Sequence, residues 1–348
     1  MVKSLDDVKR SAIAMELADM AELQKLLIAN EQKFISEISD PDIRDRFQKM
    51  LADDQKNMGV LETVMVQYGV KGEPRKITTQ MIEQVQQLMS GSELKLFQKV
   101  GQHELLKHKQ VMAGLLIHKC SQVVGADVAV AIGPLNTINF ENRAHQEQLK
   151  GVIEILGTRE LTGKEPEQGL WGRVQDAVAA LSGVFGSAVT QNSDKQDMDI
   201  RDLIRLDHNK VNTIFTEMGA TEDVPKLEEL FGQMYKDLLA HAKAEEQVIY
   251  PKVRSFYGDD NTQELFDEQA EMERMLNEIK SISPANSQFK DKIKQLMDVI
   301  GDHIRQEEST MFAAIGNNFN EKEREQLASE FKSAKSKIQD QMAASMKK

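Results

Sequence analysis

The chain has 348 residues, enough for two domains of ordinary size, and with 40% hydrophobic but only 5% aromatic residues it reads as globular and helical rather than as a β-sandwich. A net charge of −12 argues against a nucleic-acid partner, which calls for a basic face. The single cysteine, Cys120, excludes an internal disulfide and any cysteine-cluster metal site, and no acid, base or oxyanion loop accompanies it as a nucleophile.

In chain order, residues 5–38 form a long periodic segment that stops at Asp40-Pro41, because proline disfavours helical backbone in the residue before it. A second helix is expected from Pro41 to Tyr68, ending at Gly69. A loop and a short helix near 78–89 lead to two long helices, at about 92–123 and 128–156, with Gly125 between them. Hairpin, long connection, hairpin is the order of a four-helix bundle with one crossover. Residues 158–198 are a polar linker carrying one small-residue amphipathic helix (LWGRVQDAVAALSGVFGSAV), which has one Arg and no Lys. That composition favours packing on a neighbouring domain over lying on anionic lipid. Further helices at about 200–219, 224–256, 261–281 and 286–316, joined by short loops, suit a second bundle; a charged helix at 320–346 reads as a solvated face. No run reaches the ~18 apolar residues of a membrane span. The segment MVKSLDDVKR lacks an apolar signal core, so the expected location is cytoplasmic.

The second bundle carries polar residues on its apolar stripes: His208 among Ile204, Val211 and Phe215; His241 and Glu245 between Leu238 and Val248; His303 and Glu307 between Ile300 and Met311. Spacings of three and four set these side chains on one helix face. One inward histidine is an ordinary core residue. Three histidines and two carboxylates in one core are most simply neutralised by cations, because buried carboxylates are expensive unless paired. Mixed nitrogen and oxygen ligands suit iron, zinc or manganese.

The segments LIRLDHNKV, HAKAEEQVIYP and HIRQEESTMF resemble the hemerythrin-like, or HHE cation-binding, domain over residues 199–316. The resemblance implies a four-helix bundle holding two irons, with His208, His241 and His303 as terminal ligands and Glu245 and Glu307 as bridges. It also implies O2 or a small oxidant as the partner, or a role in sensing iron or redox state. On the third helix, Gln269 stands where that family has histidine; the ligand there is Gln269, Glu268 or Glu273, or Gln269 only hydrogen-bonds a ligand.

The first half resembles ferritin-like proteins in topology over residues 5–156. Its pattern is Glu31, Asp54 with Asn57, Glu104, and Asn142 with His145. Both asparagines weaken the set, so the expectation is a bundle that has lost its metals and kept a buried polar network. His103, His108 and His118 are expected at surface or half-buried positions.

The expected whole is all-α, with a degenerate ferritin-like bundle at 1–157, a linker at 158–198, and an HHE domain with an extra helix at 199–348. The expected function is that of a non-haem di-iron protein. A di-iron oxidoreductase reducing peroxide or NO, or a metal-free helical interaction protein, are the competing readings. The N-terminal bundle would couple to a protein partner or form a homo-oligomer.

Overall fold

The computed structural model describes residues 8–166, 169–185 and 198–346. All regular structure among them is helical. Helices α1 (Val8–Glu37) and α2 (Pro41–Tyr68) form a hairpin. Asp40 caps α2 by accepting hydrogen bonds from the backbone N–H groups of Asp42 and Ile43, and Pro41 occupies the first turn, where no N–H is needed. Gly69 ends α2 in the left-handed conformation at φ 78°.

Helix α3 (Lys76–Ser90) lies in the crossover to α4 (Leu96–Val124). The expected helix at 128–156 is in fact two, α5 (Ala126–Ile132) and α6 (Leu135–Thr162). Gly133-Pro134 separates them, since proline lacks the N–H that a continuous helix would use. Helices α1, α2, α6 and α4 pack in a ring around a shared core. The linker helix α7 (Leu170–Phe185) lies along α6, burying Leu170 and Val174, and Arg46 stacks 3.5 Å over the ring of Trp171. The end of that amphipathic segment lies outside the described residues.

The second bundle is built from α8 (Ile200–Ala220), α9 (Val224–Ala244), α11 (Asp259–Lys280) and α12 (Ser287–Gln306). Two of these run on through single π turns. Helix α9 passes through Glu245–Ile249 into α10 (Tyr250–Tyr257), and α12 through Glu307–Met311 into α13 (Phe312–Asn318). Two apolar clusters fill the ends of this bundle, one around Phe231, Phe289 and Leu296, the other around Ile204, Tyr250 and Phe312. The predicted ligands lie between them.

Helix α14 (Glu321–Met346) crosses α8 and α9. It is not the solvated helix its charge suggested: Leu327, Phe331, Lys332, Lys335 and Gln339 are all buried. The two halves meet through buried charges. Arg10 grips Asp127 with two hydrogen bonds of 2.7 and 3.0 Å and reaches Glu229 on α9. Lys210 donates to the carbonyls of Gln67 and Tyr68, at the end of α2, and pairs with Asp237 at 2.8 Å. These carbonyls lack helix partners, so a buried ammonium satisfies them.

Candidate metal centre

The structure brings together His208, His241, Glu245, Gln269, His303 and Glu307, all buried. Glu307 lies between two histidines, with Oε2 3.3 Å from His208 Nε2 and Oε1 3.4 Å from His303 Nε2. Glu245 Oε2 lies 3.2 Å from His241 Nε2. Two overlapping ligand groups result, His208–His241–Glu307 and Glu245–His303–Glu307, each with its donor atoms within 4.8 Å of one another. Glu307 belongs to both.

The other ring nitrogen of each histidine faces a carboxylate. Glu308 Oε1 is 2.8 Å from His208 Nδ1, Asp207 Oδ2 is 2.8 Å from His241 Nδ1, and Glu268 Oε2 is 2.6 Å from His303 Nδ1. An ionised carboxylate only accepts, so Nδ1–H donates and Nε2 is the ring nitrogen aimed inward. Spacing along one helix could not reveal these supports, because Asp207 adjoins His208 in sequence yet holds His241 on another helix. Glu268 thus supports a histidine from outside. Glu273 is not in the cluster: it is half exposed at the rim and pairs with Lys243 at 2.9 Å.

Gln269 does face the core. Its Nε2 donates to Glu245 Oε2 at 2.7 Å and to the hydroxyl of Tyr250, which in turn donates to Glu307 Oε1 at 2.9 Å. Burial, and then Glu245 and Glu307, push the Tyr250 phenol well above its ordinary pKa, so it stays a neutral donor. The sequence flagged Tyr250 only as the aromatic residue of a motif; the π turn starting at Glu245 is what turns it into the cluster.

The donors fit a cation. Glu245 Oε1 and Gln269 Oε1 are buried without a hydrogen-bond partner, and His208 Nε2 and His303 Nε2 have only the long contacts to Glu307. Such atoms cost about 1–3 kcal/mol each when left unpaired, and a cation among them would remove that cost. Protons partly fill the role otherwise. Burial opposes charge on His241 and His303, but Glu245 and Asp207 around the first, and Glu307 and Glu268 around the second, outweigh it and push both up to about 10. An apolar cavity of about 30 Å3, lined by Leu238, Met272, Leu276 and Ile300, touches His241, Gln269 and His303.

The N-terminal bundle is built differently. Glu31, Asp54, Asn57, Asn142 and His145 are buried as expected, but Glu104 is half-buried and bonds Gln146. The inward face of α4 is His103, Lys107 and Gln110, so its stripe sits one residue before the expected one. Lys107 Nζ contacts Asp54 and lies 3.1 Å from both Glu31 Oε1 and His145 Nδ1. A lysine ammonium therefore holds the centre of this network. His103, expected near the surface, is fully buried; burial and then Lys107 push its pKa down to about 3, so it is neutral. His108 is exposed, while His118 and Cys120 are half-buried.

Residues 199–315 match the hemerythrin HHE cation binding domain, so the C-terminal half carries a hemerythrin-like domain, and the chain as a whole belongs to one family with a protein of Nostoc sp. named DNA nickase. The two are 62% identical over 342 residues, covering 98% of this chain and 97% of that one. A hemerythrin-like protein of Schizosaccharomyces pombe, uncharacterized, is 25% identical over 139 residues, 39% of this chain and 68% of its own. No solved structure matches, and the ferritin-like resemblance of the first half gains no support. The exclusion of nucleic acid drawn from net charge does not stand, because a relative alike along nearly the whole chain is named a DNA nickase. Net charge sums over the whole surface and is silent on a local contact. No described helix is long and apolar enough to cross a membrane.

Proposed function

We propose that the chain is a DNA-nicking protein whose activity depends on two iron ions held by His208, His241, His303, Glu245 and Glu307. The carrying observation is the set of buried, inward-facing donor atoms without close partners on residues that three outer carboxylates hold in place. Nitrogen and carboxylate donors together suit iron. DNA enters this reading through the likeness to the Nostoc protein.

Burial constrains how such a site works. A phosphodiester backbone cannot enter a cavity of about 30 Å3, which has room for a molecule the size of water or O2. In this reading a small oxidant such as O2 reaches the buried site, while DNA stays outside the bundle. Bound iron would supply redox chemistry with that oxidant. The chain's own residues do the rest: Leu238, Met272 and Ile300 give the cavity its apolar wall, the neutral Tyr250 hydroxyl donates to Glu307, and Gln269 donates to Glu245. Residues 1–157 serve as a metal-free support, 158–198 as a connection, and 199–348 as the metal domain.

The test is nicking of supercoiled plasmid by full-length protein, as purified, after iron removal and after iron return, with and without O2. Nicking should follow iron and O2, fall at least tenfold in His303→Ala, and leave ends that DNA ligase does not seal. Undiminished nicking by iron-free protein would sink the reading. A second reading, O2 or redox sensing without strand cutting, draws on the same cavity; iron-loaded protein that takes up O2 but leaves plasmid intact would favour it.

A further inference from the structure

The three outer carboxylates are not alike. Glu308 and Glu268 are about a third and a quarter exposed, at 33% and 27%, so water helps to balance them. Asp207 is buried and has a second partner: its Oδ1 accepts from Lys335 Nζ, on α14, with Lys335 only 1% exposed. Phe331, one turn earlier on α14, sets its ring edge-on to His241, with centroids 5.8 Å apart and planes at 77°. Helix α14 lies beyond residues 199–315, so both contacts come from outside the matched domain. The same helix is tied to α2. Lys332 bonds Thr63 at 3.2 Å, Gln339 donates to the carbonyl of Val66 at 3.0 Å, and Lys71 reaches Ser336 at 2.6 Å.

We propose that Lys335 is a positioning residue for the metal cluster: through Asp207 it fixes the ring of His241, and so makes the cluster depend on α14. This rests on the cluster being a metal site. A buried aspartate facing only an imidazole has one oxygen unpaired and is free to rotate. Lys335 takes that oxygen, which leaves Oδ2 for His241 Nδ1 and points Nε2 at Glu245. Outer partners of this kind change metal affinity by about 10–100-fold when removed.

The experiment uses full-length protein loaded with Fe(II), and in parallel with Co(II), whose visible bands report ligand geometry. Lys335→Met should lose iron to a chelator about tenfold faster than wild type and shift the Co(II) bands. Lys335→Arg, which keeps the charge, should restore much of both. Lys332→Met removes a neighbouring buried lysine that bonds Thr63 instead of Asp207; it should leave the iron-loss rate and the bands unchanged even where it lowers the melting temperature. If Lys335→Met does not fold, Asp207→Asn carries the same expectation with less change in shape. Wild-type protein that binds neither metal overturns the reading of the site, and this inference with it. Wild type that holds metal, with Lys335→Met losing it no faster or Lys332→Met losing it as fast, overturns the inference alone.

Discussion

Lys107 Nζ lies 3.1 Å from Glu31 Oε1, and neither side chain has any exposure to solvent. Asp54 completes the group from a third helix. Burial opposes the charge on Lys107, but Asp54 and Glu31 outweigh it and raise its pKa, so it remains an ammonium. The first bundle supplies its own cation at its centre, though Glu31 Oε2, Asp54 Oδ1 and Asn142 Oδ1 there are also without hydrogen-bond partners. Lys107→Met strands two buried carboxylates and should cost about 3–5 kcal/mol, measured as a fall in the urea midpoint. A His208→Ala/His241→Ala/His303→Ala variant should then hold no iron at all; iron at one per chain would mean that the first bundle also binds metal.

Gln269→His should hold iron longer than wild type against a chelator. Residue 269 already faces Glu245, and imidazole is a better iron ligand than a neutral amide. Faster loss would show that Gln269 matters as a hydrogen-bond donor to Glu245 and Tyr250 and not as an open ligand position.

Metal uptake near neutral pH should release protons, because His241 and His303 hold theirs up to about pH 10. Calorimetric titration in buffers of different ionisation enthalpy counts them, and affinity should weaken as pH falls. The metal-free protein carries the opposite sign. Folded values above the ordinary 6.5 stabilise it fully below about 6.5, and that contribution is lost as pH rises towards 10. Melting temperature against pH should show this slope in metal-free wild type; an unchanged slope in His241→Ala/His303→Ala would assign it to other groups.

Gly69→Ala should be strongly destabilising. At φ 78° an added Cβ meets the left-handed penalty of about 1–2 kcal/mol and falls 2.0 Å from Asp237 Oδ1, which Lys210 and Gln233 hold in place. A loss of at least about 2 kcal/mol is expected from chemical denaturation. A near-neutral result would mean that the junction between the two halves yields easily.

The sequence exposed those features that lie along one helix. Pro41 and Gly69 mark the ends of α2, and spacings of three and four gather His241 with Glu245 and His303 with Glu307. What it hid depends on pairs between helices. Lys335 reads as part of a solvated helix face and Lys107 gives no signal, because lysine is rarely buried without a partner and their partners lie far away in the chain. The face of α4 was misread for the same reason: placing Glu104 inside is sound until Glu31 and Asp54 turn out to take a cation from Lys107.

Each π turn opens at a cluster glutamate, with the N–H of Tyr250 bonding the carbonyl of Glu245 and that of Phe312 bonding the carbonyl of Glu307. Such a turn adds one residue to the helical repeat and rotates everything beyond it by about 100°. Upstream, the two helices face the apolar end around Phe231; downstream, Val253, Phe312 and Ile315 face Leu327 and Phe331 of α14. The seat of α14 is made by α8 and by α9 with its π turn, where Ala240 and Ala244 join the same apolar cluster as Leu327 and Phe331. Deleting Gln247 or Ser309 alters no donor atom, yet it would swing Tyr250 or Phe312 a quarter-turn or more off its mark. A change in chain length alone, without a change in chemistry, would take the Tyr250 hydroxyl away from Glu307 and Gln269, or Phe312 out of its apolar cluster.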